Sequence, residues 1–302
     1  VLWIQWVNGD LINDAIQQPN GIMMTTWPTW SWKTTTMYAS LAKINTMDIN
    51  ITTFEDPVEN KMLWLNQSQV RADIGFSFAS WLRSDLRQDP DVILIWEMRD
   101  HETLDMWMEA AMTWHMVVST IHTNSAAETL TRVTNMWAKG FMIAWTFNIV
   151  MAQRLSRKLC SNCSQKVDIS WDKRREWTKQ CFATMDKEKL KHEVTLRWIS
   201  PERWQEYMWQ GIAYAWTWTD PQTWGVCPKC WWTWMKWRTG VYEILNFTEE
   251  IKSMVMNDAK ALDIENKALQ IGMISLERDA VLKVIKWDLP LDIVYKLVKH
   301  KE

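Results

Sequence analysis

The 302-residue chain carries 34 Lys and Arg against 36 Asp and Glu, and 47% of its residues are apolar. This composition supports one large domain, or a core with a smaller module, and excludes a disordered chain. The net charge of -2 gives no electrostatic basis for binding nucleic acid or an acidic membrane surface. No apolar run reaches the ~20 residues that span a bilayer, so we expect a soluble cytoplasmic protein. Because the chain begins at Val1, we also expect a preceding N-terminal part.

Apolar runs alternate with helical spacing through the first half of the chain. We predict strands over 21–26, 49–54, 91–96 and 116–120. Helices are predicted over 33–44, 77–86 and 103–112. Strands that alternate with helices indicate an α/β fold with a largely parallel sheet that helices cover on both faces.

The second half divides differently. The run 141–152 is predicted to be a buried helix, and the sheet pattern ends near Arg157. Residues 160–230 are polar and irregular, and cysteines bracket them. From Thr248 onward the chain is predicted to be helical, with Asp288 and Pro290 placed to start the last helix. The predicted domains are an N-terminal core, a cysteine module and a C-terminal helical region, with bounds 1–157, 158–240 and 241–302.

The glycine and tryptophan counts are abnormal: the chain has 8 Gly and 25 Trp, whereas glycine is on average about 7% of residues. Several tryptophans lie among Pro, Thr, Ser and Lys, where turns call for glycine: Trp30, Trp32, Trp231, Trp232, Trp234 and Trp237. The pattern indicates tryptophan in place of glycine at many loop positions.

Residues 27–36 lie between a predicted strand and a predicted helix, which is where a phosphate-binding loop belongs. Lys33 and Thr34 match the end of such a loop, in which the lysine reaches phosphates and the hydroxyl ligates Mg²⁺. The Gly-x-x-x-x-Gly-Lys frame is here Trp-x-x-x-x-Trp-Lys. Taken alone, Lys-Thr before a helix is a weak signal that fits a solvated helix start better, and its position between a strand and a helix favours the phosphate loop.

Five motifs occur in a fixed order along the chain: 27–36, 53–59, 82–91, 96–100 and 114–124. They resemble the Walker A motif, Asp box, arginine-rich stretch, Walker B motif and His box of the type II secretion and type IV pilus assembly ATPases (secretion system protein E). Residues 152–155, two Cys-x-x-Cys pairs and 238–244 extend the resemblance. It implies a RecA-like P-loop core, a four-cysteine zinc-binding insert and a C-terminal helical region.

The resemblance implies ATP and Mg²⁺ as ligands. Lys33 and Thr34 would hold phosphate and Mg²⁺, and the other polar loop positions would line the same site: Thr29, Ser31 and Thr35. Glu97, which ends a buried strand, would act near Mg²⁺ and the attacking water. Glu59 is the candidate for the general base, and its alternative role is a solvated loop acid.

The resemblance also gives roles to histidines and arginines. His115 and His122 would sense the γ-phosphate. Phosphate charge would be neutralised, directly or across a subunit boundary, by Arg83, Arg87 and Arg99. Their alternative role is to form salt bridges with the nearby acids Asp85, Asp89 and Asp100.

The loop departs from the family pattern where backbone geometry matters most. Glycine permits the positive φ angles that let N–H groups close on a phosphate, and indole rings at Trp27, Trp30 and Trp32 oppose this. Trp96 and Trp114 replace small residues beside Glu97 and His115. We therefore predict impaired nucleotide binding by this chain.

Cys160, Cys163, Cys227 and Cys230 form two Cys-x-x-Cys pairs that can offer four thiolates to one tetrahedral Zn²⁺. The 63 residues between the pairs exceed the spacing of common zinc ribbons, and disulfides are the alternative. Cys181 is expected to be a free thiol. The resemblance places such a module in the assembly and secretion branches of the family.

The resemblance implies that the protein is a motor ATPase, and two alternatives stay open. It would form a homo-hexamer, work peripherally at the inner membrane, and drive platform and docking proteins of a pilus or secretion machine. The first alternative is a non-catalytic scaffold that has the RecA-like core and the zinc module. The second is a nucleic-acid motor, against which the balanced charge argues.

Overall fold

The computed structural model describes residues 7–26, 33–98, 101–183, 185–216, 227, 229–230 and 235–299. Its strands are β1 (Gly21–Thr26), β2 (Ile51–Glu55), β3 (Leu65–Gln69), β4 (Val92–Ile95), β5 (Met116–Ile121), β6 (Phe147–Leu159), β7 (Ser164–Asp168), β8 (Ile212–Trp216) and β9 (Met235–Asn246). Its helices are α1 (Val7–Ile16), α2 (Lys33–Ile44), α3 (Phe78–Asp85), α4 (His101–Met112), α5 (Ala126–Asn135), α6 (Gly140–Thr146), α7 (Lys173–Ala183), α8 (Lys187–Leu196), α9 (Pro201–Gln205), α10 (Glu249–Met256), α11 (Ala261–Ile271), α12 (Leu276–Ile285) and α13 (Leu291–Lys299).

Seven strands form one sheet in the order β3-β2-β4-β5-β1-β6-β9, and β7 and β8 pair separately as an antiparallel ribbon. The pairs β1–β5, β1–β6, β2–β3, β2–β4 and β4–β5 are parallel. Every residue of β1, β4 and β5 is buried, as expected for strands covered on both faces. This agrees with the α/β class and the largely parallel sheet predicted above.

The bounds of β1 and α2 coincide with the predicted 21–26 and 33–44, and the other early elements differ from prediction by at most two residues at either end. Serines fix two helix starts. The Ser77 hydroxyl accepts a hydrogen bond from the N–H of Ser80 at the start of α3, and Ser125 accepts one from Glu128 at the start of α5. The helices after Thr248 and the last helix after Pro290 also form as predicted.

Two predictions for the second half are wrong. The run 141–152 is not one helix, because α6 ends at Thr146 and Phe147 begins β6, whose first residues pair with β1. Residues 160–230 are not irregular throughout, because α7, α8, α9 and the β7–β8 ribbon form within the described part of that segment. The sheet also continues past Arg157, since β6 ends at Leu159 and β9 joins the far edge.

The chain divides into two compact units. One comprises Asn8–Ala152 with Ile244–Ala268, and the other comprises Gln153–Glu243 with Leu269–Glu302. The chain thus passes between units inside β6 and inside β9. The predicted boundaries at 157 and 240 lie near these two crossings, whereas the predicted C-terminal region 241–302 is shared between the units. Among the described helices, none has both the length and the apolar character that crossing a bilayer requires.

Candidate functional site

The carboxyl ends of β1, β2, β4 and β5 lie at one edge of the sheet. The register pairs Gly21 with Met116 and Thr26 with Ile121, so residues that follow Thr26 and Ile121 emerge side by side. The side chain of Thr26 joins the end of β1 to the segment that follows β5. Its hydroxyl donates to the Thr123 carbonyl and accepts from the Thr123 N–H, each at 2.8 Å. In parallel sheets wrapped by helices, ligands bind at such an edge.

Glu97 and His122 meet at this edge. Glu97 follows β4, His122 follows β5, and the Glu97 Oε1 lies 3.1 Å from the His122 Nε2. The two segments are also tied by their backbone, because the Met98 N–H donates to the Thr120 carbonyl at 2.9 Å. Both side chains are partly exposed, so the pair is open to a ligand. The structure therefore brings these two predicted residues together.

Glu55 is a residue at this edge whose role the sequence analysis missed. It is the last residue of β2 and is fully buried. Its carboxylate accepts hydrogen bonds from the Tyr38 hydroxyl, from Thr53 Oγ1 at 2.7 Å and from Gln67 Nε2 at 3.1 Å. Burial, and then the hydrogen bond to Glu55, raise the pKa of Tyr38, so its phenol stays protonated and acts as the donor. Because Tyr38 belongs to α2, Glu55 links the helix after the phosphate loop to β2.

Glu59 lies four residues beyond β2 in an exposed segment that Gln67 organises. The Gln67 side chain donates to the Asn60 carbonyl at 2.9 Å and accepts from the Met62 N–H at 2.8 Å. These two hydrogen bonds fix the path of the segment. Glu59 follows the carboxyl end of β2, which lies beside that of β4, the strand that Glu97 follows.

The elements on either side of the phosphate loop are described. β1 ends at Thr26, at the carboxyl edge, and α2 begins at Lys33. The N-terminus of a helix is a favourable place for a phosphate. The side chains of Lys33, Thr34 and Thr35 lie outside the described residues, as do Thr29, Ser31 and the three loop tryptophans.

His115 does not reach this edge. It directly precedes β5, and its carbonyl accepts from the N–H of Gly21 at the start of β1. Six strand residues separate it from His122, a distance of about 20 Å. Its Nδ1 lies 3.1 Å from the Ala110 carbonyl at the end of α4, which is a helix-capping position. The expectation that His115 and His122 sense one phosphate does not fit this geometry.

Of the three candidate arginines, the structure describes Arg83 and Arg87. Arg83 lies 3.7 Å from Glu102, and both side chains are 70% exposed. Arg87 lies in a short 3-10 helix, Leu86–Gln88, near the amino-terminal edge, where Asn50 bonds the Gln88 carbonyl. Arg99, with Asp100, lies outside the described residues.

Asp85 is not the salt-bridge partner that the sequence analysis weighed for the arginines. It is buried at the end of α3 and accepts a 2.6 Å hydrogen bond from Thr52 in β2. Burial raises the pKa of Asp85, and the Thr52 hydrogen bond partly opposes this rise.

The four cysteines of the two Cys-x-x-Cys pairs form one buried cluster. Their sulfur atoms all lie within 4.8 Å of one another. The distance from Cys160 to Cys227 is 3.9 Å and that from Cys163 to Cys230 is 3.5 Å. Sulfur ligands 2.3 Å from a tetrahedral zinc lie roughly 3.8 Å apart, so the cluster fits zinc. Cys181 lies outside this cluster and is half-buried.

The thiols of this cluster differ in acidity. Burial raises the pKa of Cys163, and neighbouring thiols raise it further. Burial acts in the same direction on Cys227, but hydrogen bonds from the backbone of Lys229 and Cys230 outweigh it and lower its pKa to about 7. A thiolate is therefore accessible near neutral pH, and zinc binding would extend deprotonation to the other three.

Comparison with known proteins gives consistent relatives. The family described as "Type II/IV secretion system protein" matches residues 4–290. The chain is 37% identical over 276 residues to the type IV pilus assembly ATPase PilB of Acinetobacter baylyi, which covers 91% of this chain and 42% of that protein. It is 33% identical over 293 residues to the type II secretion system protein E of Aeromonas hydrophila, covering 97% and 52%. The chain thus spans about half the length of these relatives.

Solved structures share the fold. The pilus retraction motor PilT with bound ADP superposes with a TM-score of 0.65 at 20% identity, covering 97% of this chain and 65% of that chain. The ATPase DotB of Legionella pneumophila gives a TM-score of 0.62 at 20% identity, covering 97% and 63%. At this identity the likeness concerns the fold alone.

Proposed function

Because the chain belongs to the type II/IV secretion system protein family, we propose that it is the catalytic half of a motor ATPase that powers pilus assembly or type II secretion. The observation that carries this proposal is the Glu97–His122 pair, 3.1 Å apart at the carboxyl edge where α2 also begins. An acid and a histidine at that edge suit a nucleotide whose phosphates sit on the helix N-terminus.

Each residue at the edge has a task in phosphoryl transfer to water. Lys33 and Thr34 begin α2 and would hold the β and γ phosphates and Mg²⁺, which neutralises charge on the phosphate oxygens. Glu97 would orient water near that ion, and His122 would contact the γ-phosphate from the neighbouring strand. Glu59 would accept the proton of the attacking water. Glu55 would keep β2 and α2 in register so that Glu59 and the phosphate loop face each other.

The arginines fit a site shared between subunits. Arg87 lies near the amino-terminal edge, far from Glu97 of the same chain, and Arg83 is exposed beside Glu102. Arginine supplied by a neighbouring subunit stabilises transition-state charge in many phosphoryl-transfer enzymes. We therefore assign Arg83, Arg87 and Arg99 to a subunit boundary of a homo-hexamer.

The setting follows from the relatives' names. The relatives are named for type IV pilus assembly and for type II secretion. A ring of this chain would work on the cytoplasmic face of the inner membrane, held there by platform and docking proteins. The zinc-binding module, with its buried sulfur cluster, would be a rigid part of this motor.

A phosphate-release assay tests the proposal. Glycine is restored at 27, 30 and 32, so that the loop itself does not limit binding, and Glu97→Gln is added to that background. Turnover by the restored chain with loss of 100-fold or more in the Glu97→Gln variant is expected, since the acid acts at the chemical step. Asp73→Asn, an exposed acid paired with Arg71, is the control and should leave turnover unchanged. Equal turnover in all three proteins would contradict the proposal.

A non-catalytic scaffold is the second candidate, and one observation favours it. Tryptophan occupies positions 27, 30 and 32, where a phosphate loop needs small residues. In that case the zinc module and the sheet would serve assembly alone. Equilibrium titration with ATP separates the two, because a scaffold would bind no nucleotide even after glycine is restored.

A further inference from the structure

Tryptophan recurs at left-handed backbone positions. Among the described residues, eight non-glycine residues have positive φ, and two of them are aspartates. The other six are Trp64, Trp114, Trp137, Trp198, Trp237 and Trp287, with φ from 58° to 73°. A bulky residue in this region is a genuine outlier, whereas glycine adopts it without steric cost.

Four of these tryptophans end helices in the same way. Each lies two residues after the last residue of a helix: Trp114 after α4, Trp137 after α5, Trp198 after α8 and Trp287 after α12. In each case the next residue donates its N–H to the carbonyl five residues back, at 2.9–3.3 Å; the donors are His115, Ala138, Ile199 and Asp288. This is the Schellman motif, whose left-handed residue is usually glycine.

Glycine serves the same purpose elsewhere in the chain. Gly211 follows the short helix Glu206–Gln210 with φ 73° and ψ 36°, the left-handed values that the tryptophans share. A side chain at Gly211 would lie 2.8 Å from the Ser170 Cα. The fold therefore requires the left-handed conformation at helix ends, and the chain meets that need with either residue.

At five of the six positions packing does not offset the backbone cost. The left-handed conformation is unfavourable for L-residues, and these five indole rings are exposed, with Trp198 at 84%. An exposed indole gains little from burial. The sixth, Trp287, packs against Tyr214 and Arg203.

We propose that the protein made in its own cell carries glycine, not tryptophan, at these six positions. The same assignment extends by sequence pattern to 27, 30 and 32, where the phosphate-binding loop calls for glycine. A codon that different genetic codes read as tryptophan or as glycine, such as UGA, would account for the exchange. It does not extend by this argument to Trp81 and Trp107, which are buried inside helices.

The consequence is functional. A phosphate-binding loop with three glycines regains the positive φ angles and the backbone N–H donors that nucleotides need. The exposed indoles, which would make the surface adhesive, disappear together with the strain. For the six positions the inference is independent of the proposed function, because it depends on backbone φ angles alone. Its extension to 27, 30 and 32 rests on the proposed function.

Peptide sequencing by mass spectrometry tests the proposal on protein purified from its source cells, together with the gene sequence. Fragment ions are expected to give glycine at 114, 137, 198 and 287, and the gene to carry UGA there. Tryptophan at any of these four positions in the purified protein would overturn the proposal.

A second measurement tests the physical basis in recombinant chains. Single Trp114→Gly, Trp137→Gly and Trp198→Gly variants are each expected to raise the melting temperature by about 2–4 °C. The matched control is Trp145→Gly: Trp145 is equally exposed but lies inside α6, where glycine weakens the helix. The control should melt lower than the parent. Helix-end variants that melt no higher than the parent would overturn the argument from backbone strain.

Discussion

The buried carboxylate of Glu55 is satisfied by three donors, and one of them comes from the helix that follows the phosphate loop. Tyr38 on α2, Thr53 on β2 and Gln67 on β3 all point their donors at it. Burying a carboxylate destabilises the folded state unless its oxygens accept hydrogen bonds, so the loss of each partner lowers the free energy of unfolding. These three hydrogen bonds therefore hold α2, β2 and β3 in one arrangement, and Gln67 also bonds the segment that carries Glu59.

Replacing Tyr38 with phenylalanine removes one donor while keeping the ring. We expect a loss of about 1–3 kcal/mol in the free energy of unfolding, because the Glu55 carboxylate stays buried with a missing partner. Urea titration measures it. Tyr295→Phe is the control, since that half-buried ring packs edge-on against Trp177, and its stability should barely change. An equal loss in both variants would contradict the role assigned to the Tyr38 hydroxyl.

At the scale of single elements, sequence pattern was sufficient where the pattern itself is local. β1 and α2 were predicted to the residue because an apolar run and a helical spacing meet clear boundaries there. The prediction of one helix over 141–152 is wrong because the apolar residues of this run fit both the helical and the strand spacing. Only the pairing with β1 decides that Phe147 begins a strand. α7 was missed because it buries only Thr178 and Phe182, so it shows no apolar stripe.

In the candidate site, too, local sequence pattern predicts some features and not others. The placement of Glu97 and His122 could be predicted because each ends an apolar run, and parallel strands end together. The burial of Glu55 could not, since its neighbours Asp56 and Glu59 are exposed acids of the same type. His115 was misplaced because a motif gives order along the chain but not the edge of the sheet on which a residue lies.

The cysteine cluster predicts that the stability of the protein depends on a bound metal ion. Protein purified under reducing conditions is expected to contain one zinc per chain, and chelation should lower the melting temperature because bound metal stabilises only the folded ligand set. Cys160→Ser should lose the metal. Cys181→Ser is the matched control and should keep it, since Cys181 lies outside the cluster. Zinc retained by Cys160→Ser and lost by Cys181→Ser would refute the assignment.

α12 carries a second element-scale prediction, in a buried charge cluster. Asp279 lies 2.7 Å from Arg197 and 2.6 Å from Lys283, and it also accepts a 3.0 Å hydrogen bond from the Tyr242 N–H. Asp279→Ala leaves the buried Lys283 without its acid and leaves Arg197 with Glu193 alone, and we expect a loss of about 3–5 kcal/mol in unfolding free energy. Asp73→Ala, at an exposed pair, should change stability little.

The same cluster gives a pH dependence. Burial raises the pKa of Asp279, but the charges of Lys283 and Arg197 outweigh burial and lower it below 3.8. A carboxyl whose folded pKa is depressed contributes stability above its unfolded pKa, and loses it as pH falls through the folded value. The urea concentration at the midpoint of unfolding should therefore decrease in the parent as the pH falls below 4. In Asp279→Ala this decrease should be smaller. Identical pH profiles would contradict a charged Asp279.

At the scale of the whole molecule, the fold and the nucleotide site make separate demands on the sequence. The strands and helices on either side of the phosphate loop form with the tryptophans in place, and β1 and α2 keep their predicted bounds. Binding depends instead on loop backbone N–H groups that converge on a phosphate. The chain therefore has the α/β fold of its relatives, while its sequence carries tryptophan at 27, 30 and 32.

We expect the Trp27→Gly, Trp30→Gly, Trp32→Gly triple variant to bind ATP far more tightly than the parent. A hydrogen bond to a charged group contributes about 1.5–3 kcal/mol, so losing two or three weakens binding by several powers of ten. Titration calorimetry with Mg·ATP measures the difference, and melting curves show whether both proteins are folded. A control triple variant, with glycine at Trp171, Trp198 and Trp209, removes as many exposed indoles from the other compact unit and should leave ATP affinity at the parent value. Equal affinity of the parent and the loop variant would show that the tryptophans do not obstruct the site.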